Sequence, residues 1–314
     1  MSTSLLPVIQ TELNRYGLSI IFILGIIGNS FIIILFRKYR QNSCSMYFFW
    51  ASIINNLYLL FAIPPTLYSI NYGDLNSRSL IYCKLRYYLT NTLGQSARYF
   101  TILACIDRFI LTTMNVRFQI FIQPTNVRYI MCIIFLFWHI FPIHILFSTT
   151  INNGRCNQFG LYYILHNIYL IIFVGFIPII LMSIFGYLTY RNVKQLQLRI
   201  HPISNHPIDD NQRESIIIRN RERELFYMVL GEVFIHVITI LLYPFILLEI
   251  SITTYMDVVK TIDRIRIENF IVTIATLMFF INIGSRYYIF FVMSKTFRKD
   301  FKKLLKLFYN RVIR

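Results

Sequence analysis

Apolar residues come in seven long runs along the chain, separated by polar segments. The runs predict helical spans over Tyr16–Phe36, Met46–Ile70, Leu80–Thr113, Val127–Ser148, Tyr162–Tyr190, Glu222–Ile250 and Glu268–Met293. Each is long enough for the roughly 20 residues a helix needs to cross a bilayer core. The runs are apolar on all faces rather than along one stripe. That suits helices facing lipid, where the backbone must satisfy its own hydrogen bonds. The pattern predicts an all-α membrane protein: a seven-transmembrane helix bundle over 16–293 behind an N-terminal segment 1–15.

After the seventh span the periodicity changes. Phe297, Phe301, Leu304, Leu305 and Phe308 share one helical face, and Arg298, Lys299, Lys302, Lys303 and Lys306 fill the other. Within the terminal segment 294–314 this predicts a short amphipathic helix in the membrane interface, its cations among anionic lipid head groups. The longest connection, Arg191–Arg221, is polar and carries Pro202 and Pro207, and no internal repeat or second domain is visible. Pro64, Pro65, Pro142, Pro178 and Pro244 fall inside the spans. Each removes a backbone donor and bends its helix, and bent helices leave cavities that a receptor or a transporter uses.

Composition agrees with the pattern. The chain is 56% hydrophobic and only 14% charged, against roughly 25% charged in soluble domains. A net charge of +17 would suit nucleic acid, but its distribution argues otherwise. About two thirds of the 31 lysines and arginines fall in connections on one side of the spans, the positive-inside pattern. The expected topology has the N-terminus outside and the C-terminus in the cytoplasm, with membrane lipids and not nucleic acid as partners. Met1–Arg15 is polar and not a signal peptide, so the first span is expected to act as the targeting signal.

Landmarks inside the spans carry more. Gly28-Asn29 lies in the first span, and Ala51-Ser52 with Asn55 and Pro64 in the second. Cys83 opens the third, which Asp107-Arg108-Phe109 closes 25 residues on. Trp138, Pro178 and Pro244 mark the fourth, fifth and sixth, and Phe297-Arg298 opens the tail. This ordered set resembles the rhodopsin-like G protein-coupled receptors over nearly the whole chain, nearest to their peptide-receptor branch. Three positions depart from that family. Asn55 stands for its acidic residue, Leu242 for its Trp before the sixth-span proline, and Arg286-Tyr287-Tyr288-Ile289-Phe290 for its Asn-Pro-x-x-Tyr.

The resemblance implies a plasma-membrane receptor transmitting an extracellular ligand to a cytoplasmic heterotrimeric G protein. It implies a Cys83–Cys156 disulfide, which the oxidising outer side also favours, with Cys44, Cys105 and Cys132 as free thiols. Asp107, Arg108, Phe109, Glu224 and Pro244 are expected to form the coupling and activation switch, with Arg108 and Glu224 clasped together. Arg98 and Arg286 are charges at membrane depth, and Glu232 is the only obvious acid within a span.

For the ligand, the seventh span has no lysine, which excludes a retinal Schiff base, and Thr90 stands where amine receptors carry Asp. Glu249, Asp257, Asp263 and Glu268 around the last outer loop would suit a cationic peptide; solvated loop charge is an equal alternative. Thr90, Asn91, Gln95, Phe245 and Glu249 are the expected pocket lining. The scattered histidines His139, His144, His166 and His236 offer no metal-ligand spacing, no cofactor is implied, and no catalytic constellation marks an enzyme. A divergent chemoreceptor or a non-signalling relative remains an alternative. A transporter or channel fits less well, because internal repeats and paired broken helices are absent.

Overall fold

A computed structural model describes residues 5–39, 41–113, 120–152, 154–199 and 210–312, with side chains outside 196–222, 308 and 311–312. The described residues form eight helices. They are α1 (Leu6–Tyr39), α2 (Ser43–Tyr72), α3 (Leu80–Thr112) and α4 (Pro124–Ser148). Then come α5 (Leu161–Leu170, Ile171–Phe176 and Ile177–Arg199), α6 (Asp210–Ile240 and Leu242–Tyr255), α7 (Ile262–Met293) and α8 (Lys295–Val312). Six of them, all but α3 and α8, are long and apolar enough to cross a membrane. The chain is a multi-pass α-helical membrane protein.

Why α3 is less apolar follows from where it sits. It packs against α2, α4, α5 and α6, while α2, α1, α7, α6 and α5 close around it in sequence of contact. Its middle carries Thr92, Gln95, Ser96, Arg98 and Thr101, all buried. A helix shielded by its neighbours can be polar, because its polar groups meet protein rather than lipid.

Most helices outrun their apolar stretches. The first begins at Leu6, not Tyr16, so much of the expected polar N-terminal segment is helical, widening to a π turn over Leu13–Gly17. Arg15 there bonds Glu12 at 2.9 Å and Asn71 of α2 at 3.2 Å. The sixth begins at Asp210 rather than Glu222, and the seventh at Ile262 rather than Glu268, where the Thr261 side chain caps it. Apolarity marks the part of a helix that meets lipid. Intrahelical hydrogen bonds continue beyond it.

Each proline has its local consequence. Pro178 follows the π turn Ile171–Phe176, and Pro142 sits in a tight turn over Phe141–Ile143 with φ −87° and ψ 18°. Helix α6 is interrupted at Leu241, because Pro244 has no N–H for the carbonyl of Ile240. By contrast α2 runs through Pro64-Pro65 unbroken. Pro65 cannot bond the Phe61 carbonyl, and Arg86 of α3 does so instead at 3.3 Å, with a second bond to the Ala62 carbonyl at 2.7 Å. Close helix approach needs small residues in one place above all: a Cβ on Gly284 of α7 would meet the Gly25 Cα of α1 at 3.1 Å.

At one end of the bundle, β1 (Thr150–Asn152) and β2 (Arg155–Asn157) form an antiparallel hairpin with Ile151 opposite Cys156. A disulfide joins Cys156 to Cys83 at the start of α3, Cα–Cα 5.9 Å, and Cys44, Cys105 and Cys132 take part in no disulfide. At the opposite end the chain turns into α8. Its expected apolar stripe divides: Phe297, Phe301 and Leu304 pack on the bundle core, while Leu305 is exposed. Phe297 meets Tyr287 at 5.7 Å and Phe301 meets Phe31 at 5.0 Å between ring centroids. Three of the four described stripe residues thus face protein rather than an acyl boundary, and Phe308 lies outside the described side chains.

Candidate functional site

Two adjoining cavities lie in the half of the bundle that carries the disulfide. One, of about 190 Å³, is bounded by α2, α3, α5, α6 and α7, with Tyr58, Asn91, Gln95, Arg98, His166 and Tyr243 among its walls. The other, of about 330 Å³, reaches toward α1 and shares Tyr58, Tyr87, Thr90, Thr276 and Phe280 with the first. Tyr87 also donates to the Cys156 carbonyl at 3.3 Å, so the hairpin is bonded to the cavity wall.

Three of the five expected lining residues, Thr90, Asn91 and Gln95, are where the sequence places them. Phe245 and Glu249 are not. Phe245 is 52% exposed on the outer side of α6, against Phe176, and Tyr243 is the α6 side chain that enters the cavity. The helical phase on either side of Pro244 decides this, and the break at Leu241 obscures it in the sequence. Glu249 is held at the rim by Arg264 at 2.5 Å.

The acids expected to attract a cationic ligand are largely neutralised within their own loop. Glu268 pairs with Lys260 at 2.6 Å and Arg264 at 3.0 Å, and Asp263 pairs with Arg266 at 3.3 Å. Only Asp257 stands exposed there without a basic partner among the described residues.

A chain of polar contacts leads from the cavity into the bundle. Tyr169 Oη donates to Asn91 at 2.8 Å and accepts from Gln95 Nε2 at 3.2 Å, and Gln95 Oε1 accepts from Arg98 Nη1 at 2.6 Å. The Arg98 guanidinium also lies 5.2 Å from the Phe279 ring centroid. Deeper still, Arg286 of α7 makes a buried ion pair with Glu232 of α6 and donates from Nη2 to Thr101 of α3 at 2.7 Å. Arg286 therefore finds its partner in Glu232, a buried acid in the middle of the sixth apolar stretch. Beside it, His236 Nδ1 and Asn282 Oδ1 are 3.2 Å apart. Asn29 and Asn55 both donate to the Ile283 carbonyl, at 3.3 and 3.5 Å, joining α1 and α2 to α7.

At the end opposite the disulfide, the expected Arg108–Glu224 clasp is not formed. Arg108 bonds its neighbour Asp107 at 2.6 Å, both fully buried. Glu224 instead accepts from Ser294 Oγ at 2.5 Å and from the Thr296 backbone N–H at 2.8 Å, where α8 begins. A helix start presents unpaired N–H groups and the positive end of the helix dipole, which draws a carboxylate. The tether runs from α6 to the α7–α8 junction, not to α3. Phe109 packs on Phe185 of α5 with ring centroids 5.5 Å apart, and Pro244 lies against Gly175 of α5, where a Cβ would stand 2.7 Å from its ring. Comparison with models of known protein families gives no match for this chain, and comparison with curated proteins gives none either.

Proposed function

We propose that the chain is a seven-helix receptor of the plasma membrane, with α3 as the seventh crossing helix. It carries the state of a ligand in the disulfide-side cavity to a heterotrimeric G protein at the opposite, cytoplasmic end. One observation carries this reading: the cavity, the Arg286–Glu232–Thr101 tie and the Asp107-Arg108 pair are arranged in succession along α3. The first two involve α6, the helix broken near Pro244. A ligand shift at Tyr243 acts on the break itself. The half of α6 beyond it is restrained by the buried ion pair and by Glu224 at the α8 start. Releasing those restraints lets that half move outward and opens room beside Arg108.

The ligand need not be a cationic peptide, since the acids at the rim are already paired. Net charge alone would fit a transporter equally well; the tethered α6 favours a switch over a conduit.

The test is second-messenger output in cells supplied with several G protein subtypes, at matched surface expression. Glu224→Ala should raise ligand-independent output severalfold, since a part-exposed tether contributes about 1 kcal/mol. Arg108→Ala should abolish output. Output that is nil in wild type and in Glu224→Ala with every subtype would contradict the receptor reading.

A further inference from the structure

Besides Arg108, three arginines point inward from α3 and α7, and they differ in what they have left to offer. Arg86 is occupied: it donates to Asn76 at 2.7 Å, to Thr66 at 2.7 Å and to the Phe61 and Ala62 carbonyls. Arg286 faces Glu232. Arg98 is only 9% exposed and makes one hydrogen bond, to the neutral amide of Gln95. Among the described residues no carboxylate pairs with it.

Arg98 lines the 190 Å³ cavity and has N–H groups beyond the one given to Gln95. His166 of α5 lines the same cavity, is 7% exposed, and has no hydrogen-bond partner at Nδ1. Most of the rest of the wall is apolar or aromatic: Tyr243, Phe279, Phe280, Leu170 and Val174. A buried guanidinium without a counter-charge is costly, and so is a buried ring nitrogen without a partner. Both costs are relieved at once by an anion reaching in from the cavity. The planar guanidinium fork matches a carboxylate in particular.

We infer that this cavity binds a carboxylate carried on an aromatic or alkyl body, with the oxygens on Arg98 and His166 and the body against Tyr243, Phe279 and Leu170. This rests on the reading of the cavity as the ligand side of a receptor, and it assigns the chemical class of the ligand. The carboxylate could belong to a small free acid or to the C-terminus of a peptide. The experiment separates them.

The full chain in lipid nanodiscs, with no G protein present, is titrated calorimetrically with 3-phenylpropionate and with 3-phenylpropanamide. A second pair of probes is N-acetyl-Ala-Ala-Phe with a free and with an amidated C-terminus. In at least one pair the acid should bind about tenfold or more tighter than its amide, a difference of about 1.4 kcal/mol. Preference in the first pair assigns a small acid, and preference in the second pair alone assigns a peptide C-terminus.

Arg98→Gln should abolish the preference and Arg98→Lys should retain part of it. If Arg98→Gln fails to fold, the wild-type acid–amide difference and Arg98→Lys decide. Equal binding of acid and amide in both pairs, absence of acid binding in both, or a preference that survives Arg98→Gln would overturn the inference. None of these results bears on G protein coupling. Conversely, acid-selective binding in a chain that activates no G protein would retain this site and remove the receptor reading.

Discussion

Arg98 and Arg286 lie at nearly the same depth, yet the protein treats them in opposite ways. Thr101, the α3 partner of Arg286, is three residues beyond Arg98, roughly 4.5 Å along the helix. Arg286 is enclosed by an acid from α6 and a hydroxyl from α3. Arg98 has a neutral amide, a ring face and a cavity. Depth in the membrane therefore does not set a charge's role; the surrounding partners do. A charge whose partner comes from another helix is a tie between helices. A charge with donors left over toward a cavity is a place for something to bind.

The largest effect that would break this contrast is at Glu232. Glu232→Gln leaves Arg286 charged and uncompensated in the core, and should cost about 3–5 kcal/mol of stability. Replacing both partners, Glu232→Met with Arg286→Met, removes the orphan charge and should recover most of that loss. Thermal unfolding in one detergent, read by tryptophan fluorescence, gives both values. A double variant no more stable than the single one would mean that the pair is not the tie described here.

A smaller effect is expected at Arg86, which bonds the carbonyl that Pro65 leaves without a donor. Arg86→Leu should cost about 1–3 kcal/mol, the penalty of a buried carbonyl without a partner. Pro65→Ala in the same background should restore part of it, by returning the missing N–H. Absence of any rescue would detach Arg86 from the proline.

The smallest effect has the opposite sign. Arg98→Met removes a buried charge that no carboxylate balances, and should raise stability without ligand by about 1 kcal/mol. A loss comparable to that at Glu232 would place Arg98 in the same class as Arg286 and remove the contrast.

The sequence carries the membrane-crossing apolar runs well, because lipid contact imposes apolarity residue by residue. It carries helix ends poorly: α1 and α6 continue through Leu6–Arg15 and from Asp210, where nothing apolar is required. The Cys83–Cys156 bridge was legible from the oxidising side and the family resemblance, and Thr90, Asn91 and Gln95 from their place on one helix. Phe245 faces outward and Tyr243 inward because the α6 break shifts helical phase, and Glu249 stays at the rim, where Arg264 holds it. Glu224 was assigned to Arg108 because opposite charges near one membrane face suggest a pair. The structure gives it to the start of α8, whose N–H groups leave no mark in charge patterning. Arg286 and Glu232 were each conspicuous alone, and their pairing depended on the relative rotation of α6 and α7, which only the packed bundle fixes.

The most direct measurement is of α6 itself. Spin labels at Tyr129→Cys on α4 and Tyr227→Cys on α6, both exposed positions, in a Cys132→Ser background report the separation of the two helices near the end opposite the disulfide. Electron–electron double resonance compares the otherwise unchanged chain with the Glu232→Met, Arg286→Met double variant. If the ion pair restrains α6, the double variant, folded and without an orphan charge, should show a second population at longer distance. A folded double variant with the same single distance distribution would contradict that restraint.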